Sequence, residues 1–222
     1  MNELITTVIE NRSAYLEAIQ LTLIASALSI LLALALGLII ALLHSSPIKI
    51  VRLFTRTYIS FFRGTPLLLQ LLILYVGLTG FVQLSGMQAL IFGLGFHFAA
   101  YISEAFRAAI NSVDKGQVEA SVALGIPKMK RFKDIIFPQA LSRAIPPVSN
   151  SVIDIIKSTS LGTVIAVQEL TYVSDQIAAT TYLVMPLLLF SASIYWILST
   201  LIQAGQHKLE QRYAIRYEKP RF

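Results

Sequence analysis

The sequence has no cysteine, one tryptophan and three histidines in 222 residues, and only 14% of it is charged. Without cysteine there is no disulfide, no thiolate metal site and no cysteine nucleophile. His44, His97 and His207 stand far apart, and each reads most simply as a loop, packing or tail residue. No His-Glu-x-x-His metal pattern and no glycine-rich Lys-Ser/Thr phosphate loop is present. The scarcity of charge excludes more. A soluble domain averages about 25% charged and about 45–50% apolar residues, whereas 55% of this chain is hydrophobic. A soluble fold would lack the charges to cover itself, and disorder requires the opposite composition. The remaining class is an integral membrane protein. The first residues do not read as a signal peptide, because Glu3 and Glu10 stand where a basic region belongs.

A spanning helix needs about 20 mostly apolar residues. Five stretches reach that length: 18–43, 59–81, 89–110, 144–167 and 182–203. The second is interrupted by Arg63-Gly64-Thr65-Pro66, the third carries Glu104 and Arg107, and the fourth carries Asp154 and Lys157. The runs are continuous, without the alternation of short barrel strands. This predicts an all-α, polytopic protein with five transmembrane helices, forming one transmembrane domain over residues 1–222.

The basic residues give the orientation. Lys49, Arg52 and Arg56 follow the first span, while Lys115, Lys128, Lys130, Arg131, Lys133 and Arg143 follow the third. Lys208, Arg212, Arg216, Lys219 and Arg221 follow the fifth. Together they are 14 of the 18 basic residues. The other connections are uncharged or acidic. The positive-inside rule then puts the N-terminus outside and the C-terminus in the cytoplasm. The net charge of +6 is therefore a topology signal and an attraction to anionic membrane lipid. With no basic stripe interleaved with aromatics, nucleic acid is rejected as a partner.

The longest polar connection, about 114–138, is where the sequence is most specific. Glu119-Ala120-Ser121 is followed after three residues by Gly125, then by Ile135 and by Phe137-Pro138. This resembles the signature of ABC-importer permeases, with Ser121 in place of a second alanine and Phe137 in place of leucine. Further matches run in family order: Phe62-Arg63-Gly64-Thr65-Pro66-Leu67-Leu68-Leu69-Gln70, Gly116-Gln117, Pro138-Gln139-Ala140, Pro146-Pro147 with Asn150, Lys157-Ser158-Thr159-Ser160-Leu161, and Glu169-Leu170. They cover about half the chain, from Phe62 to Leu170. The resemblance is to a type I ABC-importer permease of the polar amino acid uptake family.

That resemblance implies a permease dimer, of like or unlike copies, working with two cytoplasmic ABC ATPase subunits and an extracytoplasmic substrate-binding protein. A short coupling helix carrying Glu119, Ala120, Ser121 and Gly125 would sit in a groove on the ATPase. ATP–Mg would be held by that partner, and no cofactor by this chain. Closure of the ATPases would turn the core helices outward, a rigid-body alternation biased by ATP. Permeases of this family are transport subunits, not enzymes.

Charges inside a bilayer cost at least about 2.5–3.5 kcal/mol each and are functional hypotheses by default. Asp154 lies 11 residues beyond Arg143, hence ~16 Å into a core ~30 Å thick. Glu104 lies six residues before Ile110, hence ~9 Å from the inner surface. Both are candidate substrate contacts. Each also has a basic residue three positions on, Arg107 and Lys157, which shares its helix face and can neutralise it. Arg107 can snorkel to the surface and release Glu104, whereas the deeper Lys157 has fewer ways out. This ranks Glu104 above Asp154. Thr65 and Leu67, at the break in the second span, are further candidates, because irregular backbone at depth is tolerated where it lines a cavity.

Carboxylates in the cavity would favour zwitterionic or basic amino acids over dicarboxylic ones. Arginine, lysine, histidine, glutamine and cystine all remain open. The competing reading is a secondary transporter or channel that uses Glu104 and Asp154 as an ion or proton relay.

Overall fold

The computed structural model describes residues 2–217, and the side chains of residues 3–210. The described residues are helical, with no strand. A short α1 (Asn2–Glu10) leads into the long α2 (Arg12–His44) and then α3 (Lys49–Gly64). α4 (Leu67–Leu72) continues through a π turn at Ile73–Gly77. α5 (Gly86–Asn111), α6 (Lys115–Ala123) and α7 (Lys128–Arg131) follow, and a second π turn, Phe132–Ile136, enters α8 (Phe137–Ser158). A 3-10 segment, Thr159–Ile165, precedes α9 (Leu170–Thr181) and α10 (Val184–Tyr217).

α2 and α5 make the most extensive helix contact, and their sequences explain why. In lipid no hydrophobic force pushes helices together, so close approach depends on small side chains. α2 buries Ala18, Thr22, Ala25, Ser26, Ser29, Ala33, Gly37 and Ala41, while α5 buries Ala89, Gly93, Gly95, Ala99, Ala100 and Ser103. The Thr22 and Ser26 hydroxyls donate back to the Ala18 and Thr22 carbonyls at 2.9 and 2.7 Å, so they are buried at little cost. Leu71, Leu90, Leu94, Ile102, Ile155 and Ile165 fill the space around this pair.

Gly37 marks a close approach within the pair. A Cβ there would lie 2.7 Å from Ile102 Cγ2 and 3.2 Å from the Ala99 carbonyl oxygen. Gly37→Leu is expected to destabilise the protein by about 1–3 kcal/mol through overpacking, read as a lower Tm in detergent. Gly205→Ala, where a Cβ meets nothing within 4 Å, is expected to leave Tm in place or raise it slightly, since alanine favours a helix interior over glycine. A Gly37→Leu protein as stable as the parent would contradict the close α2–α5 packing.

Three sequence-based boundaries change. The connection read at 44–58 shrinks to a tight turn, because α3 begins at Lys49 and carries Lys49, Arg52 and Arg56 on a helix. Those residues share one edge with Arg63, while Thr55 and Ile59 are buried. An amphipathic helix of this kind has no continuous apolar run to announce it. The Arg52 guanidinium also donates to the Ser46 and Pro47 carbonyls at 2.8 and 2.9 Å, closing the turn. Second, the span read at 144–167 is not one helix: α8 ends at Ser158. The Thr159 and Ser160 hydroxyls bond the Ile156 and Lys157 carbonyls at 2.7 Å each, and such local bonds compete with helix continuation. Third, the connection after Val167 holds a helix of its own, α9, packed against α10 and α2.

Among the described residues, α2, α5 and α10 are each long and apolar enough to cross a membrane. α3 and α4 with its π turn reach that length and apolarity only together, across a bend of 108°. Pro66 ends α3: the residue before it, Thr65, takes an extended conformation, as the proline ring requires.

Candidate functional site

α5 and α8 form the two walls of a cavity of about 530 Å³. α5 contributes His97, Phe98 and Tyr101; α8 contributes Ser151, Asp154, Lys157 and Ser158, and the 3-10 segment adds Ser160 and Leu161. One wall is therefore aromatic and the other is charged and hydroxylated. Asp154 and Lys157 pair at 2.7 Å, and both side chains are about half exposed, 53% and 54%. An ion pair that open is held weakly, so either member can turn to a ligand.

Glu104 is differently engaged. It does not border this cavity but lies one helical turn along α5 from Tyr101. The Arg107 guanidinium grips it with two bonds, Nε to Oε1 at 2.8 Å and Nη2 to Oε2 at 2.6 Å. The Arg63 Nη1 stands 3.7 Å from Oε2, and the Glu104 side chain is only 23% exposed. Arg63 also lies over the Tyr101 ring, 5.2 Å from its centroid, a cation–π contact. The cluster of Arg63, Glu104 and Arg107 thus ties the end of α3 to α5 and carries one net positive charge. Bidentate pairs of this kind are among the stronger charge-assisted contacts.

The break at Pro66 is built around Gln70, which the sequence shows within a motif but without a role. Its amide nitrogen donates to the Phe62 and Thr65 carbonyls, 3.1 Å each, and to Thr65 Oγ1 at 2.8 Å. Thr65 Oγ1 in turn donates to the Phe61 carbonyl at 2.8 Å. The Gln70 side chain therefore satisfies the carbonyls that the broken helix leaves free. Its Oε1 lies 3.0 Å from His97 Nδ1, which connects the break to the cavity wall. Thr65 reaches the cavity only through Gln70 and His97, and Leu67 packs against the hydrophobic core. The signal available in the sequence was a lone glutamine inside a run of leucines, and a histidine inside a span.

A second polar centre lies beyond α8. Glu169 is fully buried at the start of α9, where it caps the helix by accepting from the Tyr172 N–H at 2.9 Å. The Tyr195 hydroxyl of α10 donates to its other carboxyl oxygen. The next residue, Leu170, donates its N–H to Thr22 Oγ1 of α2 at 3.3 Å. Glu169 and Leu170 together thus tie α9 to α10 and α2.

At the opposite end, α6 presents a surface. Asp114 caps it, its carboxylate accepting from the Gly116 N–H at 2.6 Å. At its C-terminal end, Gly125 has φ of +70°; its N–H bonds the Val122 carbonyl, and that of Ile126 bonds the Ser121 carbonyl, at 2.9 and 3.0 Å. This is a Schellman cap, which calls for glycine at that position. Ser121 is 2% exposed and faces inward, donating to the Val118 carbonyl. Glu119 and Ala120 face outward, and Val122, Leu124 and Met129 add an exposed apolar patch at 56%, 78% and 77%. Gln139 at the start of α8 donates to Gln117 Oε1 at 2.6 Å, so α6 is bonded directly to the helix that carries Asp154 and Lys157.

Comparison with known proteins is consistent across sequence and structure. The family model for the inner membrane component of binding-protein-dependent transport systems matches residues 33–215. The arginine transport system permease protein ArtQ of Bacillus subtilis (strain 168) is 38% identical over 188 residues, 82% of this chain and 84% of that protein. The L-cystine transport system permease protein TcyB of the same organism is 37% identical over 187 residues, 83% and 80% of the two chains. A chain in the crystal structure of an amino acid ABC transporter with histidines superposes with a TM-score of 0.89 at 31% identity, covering 93% of this chain and 97% of that one. The chain belongs to the family of inner membrane components of binding-protein-dependent transport systems.

Proposed function

We propose that this chain is the membrane-spanning permease of an ATP-driven importer that brings amino acids into the cell. The family match, amino-acid permeases as relatives and an amino acid ABC transporter as structural neighbour carry this reading. Such a permease is not itself an enzyme: hydrolysis of ATP–Mg belongs to a separate ABC ATPase, and delivery to an extracytoplasmic substrate-binding protein. Val122, Leu124 and Met129 around Glu119, Ala120 and Gly125 form the surface on which the ATPase docks, with Ser121 holding the loop from inside. A second permease, identical or homologous, completes the dimer. The chain crosses the inner membrane five times as one transmembrane domain, with its N-terminus outside and its C-terminus in the cytoplasm. α8 with its 3-10 segment supplies the crossing read from the sequence at 144–167.

The amino acid sits in the α5–α8 cavity. Asp154 faces its ammonium and Lys157 its carboxylate, the open pair exchanging one partner for another of like charge. Thr65 and Leu67 shape the elbow beside it. Glu104 acts from behind, fixing Arg63 and Tyr101, and is too firmly held by Arg107 to serve as the main ligand. The pair in the cavity is neutral and the neighbouring cluster positive, which supports a zwitterionic substrate. A self-contained proton or ion relay through Glu104 and Asp154 is not favoured, because Glu104 is gripped by Arg107 and does not border the cavity that Asp154 lines. The test is ATP hydrolysis in proteoliposomes holding permease and ATPase. Amino acid and binding protein together are expected to raise it. Hydrolysis indifferent to both would overturn the proposal.

A further inference from the structure

The hydrogen bonds around the Pro66 break determine which nitrogen of His97 carries a proton. Carbonyl oxygens only accept, so the side of the Gln70 amide facing the Phe62 and Thr65 carbonyls must be its NH2 group. The reverse orientation would set three oxygens against one another. Gln70 Oε1 is then the atom turned to His97, and it too only accepts. Nδ1 must therefore be the protonated nitrogen. His97 is 8% exposed and has no carboxylate partner, and burial of that kind is compatible with the neutral ring. In the neutral ring the lone pair lies on Nε2. That nitrogen has no hydrogen-bond partner among the described residues, and it is not sealed off, which leaves it open to the cavity that the ring lines.

We propose that His97 is the specificity-determining residue of this cavity, its Nε2 accepting a hydrogen bond from an N–H on the side chain of the transported amino acid. The proposal rests on the reading that the cavity holds an amino acid. With the ammonium and carboxylate of the substrate on the α8 wall, its side chain faces α5, where His97 offers an acceptor and no donor. An amide or guanidinium side chain supplies the matching N–H. A side-chain carboxylate meets a lone pair and is rejected. Gln70 is the positioning residue: it holds the tautomer and is itself locked by the two backbone carbonyls of the bend.

Two measurements test this. In the complete transporter in nanodiscs, with 15N-histidine in the permease, the His97 signals are identified by their loss in His97→Asn. Nδ1 is expected to give a protonated, pyrrole-type resonance and Nε2 an unprotonated one, the latter moving on addition of L-glutamine or L-arginine but not L-glutamate. A proton on Nε2, or no movement with any of the three, would overturn the proposal. In uptake, Asn keeps the donor to Gln70 but removes the ε position. His97→Asn is therefore expected to raise KM about 3- to 10-fold for an amide substrate, the worth of one neutral hydrogen bond, and more for a guanidinium substrate, whose N–H is charged, and His97→Gln to restore most of it. Equal loss in both variants would mean a packing role, and preference for L-glutamate in the parent would also refute the assignment. Asp154→Asn separates the two levels: if it impairs uptake while His97→Asn does not, the His97 assignment alone falls. If neither matters, the cavity itself is not the site.

Discussion

Gly125→Ala should cut coupled uptake about 5- to 30-fold without any steric clash. A Cβ at Gly125 meets nothing within 4 Å, so the whole effect comes from the backbone. A left-handed conformation costs a non-glycine residue about 1–2 kcal/mol, which is a factor of about 5–30 in population. α6 has only nine residues, and helices that short are marginal alone, so loss of the C-terminal cap releases the turn that sets Leu124 and Ile126. Glu119→Arg acts on the same surface by charge and should lower uptake without altering the cap. The measurement is uptake and ATP hydrolysis in the same proteoliposomes. Uptake is expected to fall further than hydrolysis, because the docking surface links the two. Variants with intact uptake would remove α6 from the coupling path.

Asp154→Asn and Lys157→Gln should each raise KM for the transported amino acid about 10- to 150-fold. The basis is the worth of a hydrogen bond to a charged group, about 1.5–3 kcal/mol. The contrast is Glu104→Gln. That change leaves Arg63 and Arg107 without a counter-ion between them, so it should lower Tm more than it raises KM. Comparing KM with Tm across the three variants separates a ligand from a brace. A Glu104→Gln protein with full stability and a large KM change would restore Glu104 as a direct contact.

The proposed ranking of the two acids reverses the one drawn from sequence, for a reason that lies in the tertiary contacts. Depth along a helix and an i,i+3 partner were legible, and both pairs are present. What the sequence could not show was a second cation, Arg63, brought to Glu104 from another helix. Nor could it show that Asp154 opens onto a cavity. The all-helical membrane class was readable from composition, and the α6 turn from Gly125 and its neighbours, because both depend on local chemistry. The short helices α3 and α9 escaped because one is amphipathic and the other is only 12 residues long, so neither forms a long apolar run. Glu169 read as an acid in an outer connection, yet it is fully buried. Its partner Tyr195 is 26 residues away, a contact that no spacing rule anticipates. Gln70 and His97 are likewise joined across 27 residues.

The central claim is that transport through this chain is driven by a partner ATPase. The direct measurement is uptake of a labelled amino acid into proteoliposomes holding permease, ATPase and binding protein, with ATP inside or outside and with a proton or sodium gradient imposed in its place. Uptake is expected only when ATP reaches the face that carries α6 and the binding protein stands on the other. Uptake driven by the ion gradient, with no ATP and no ATPase present, would contradict the account.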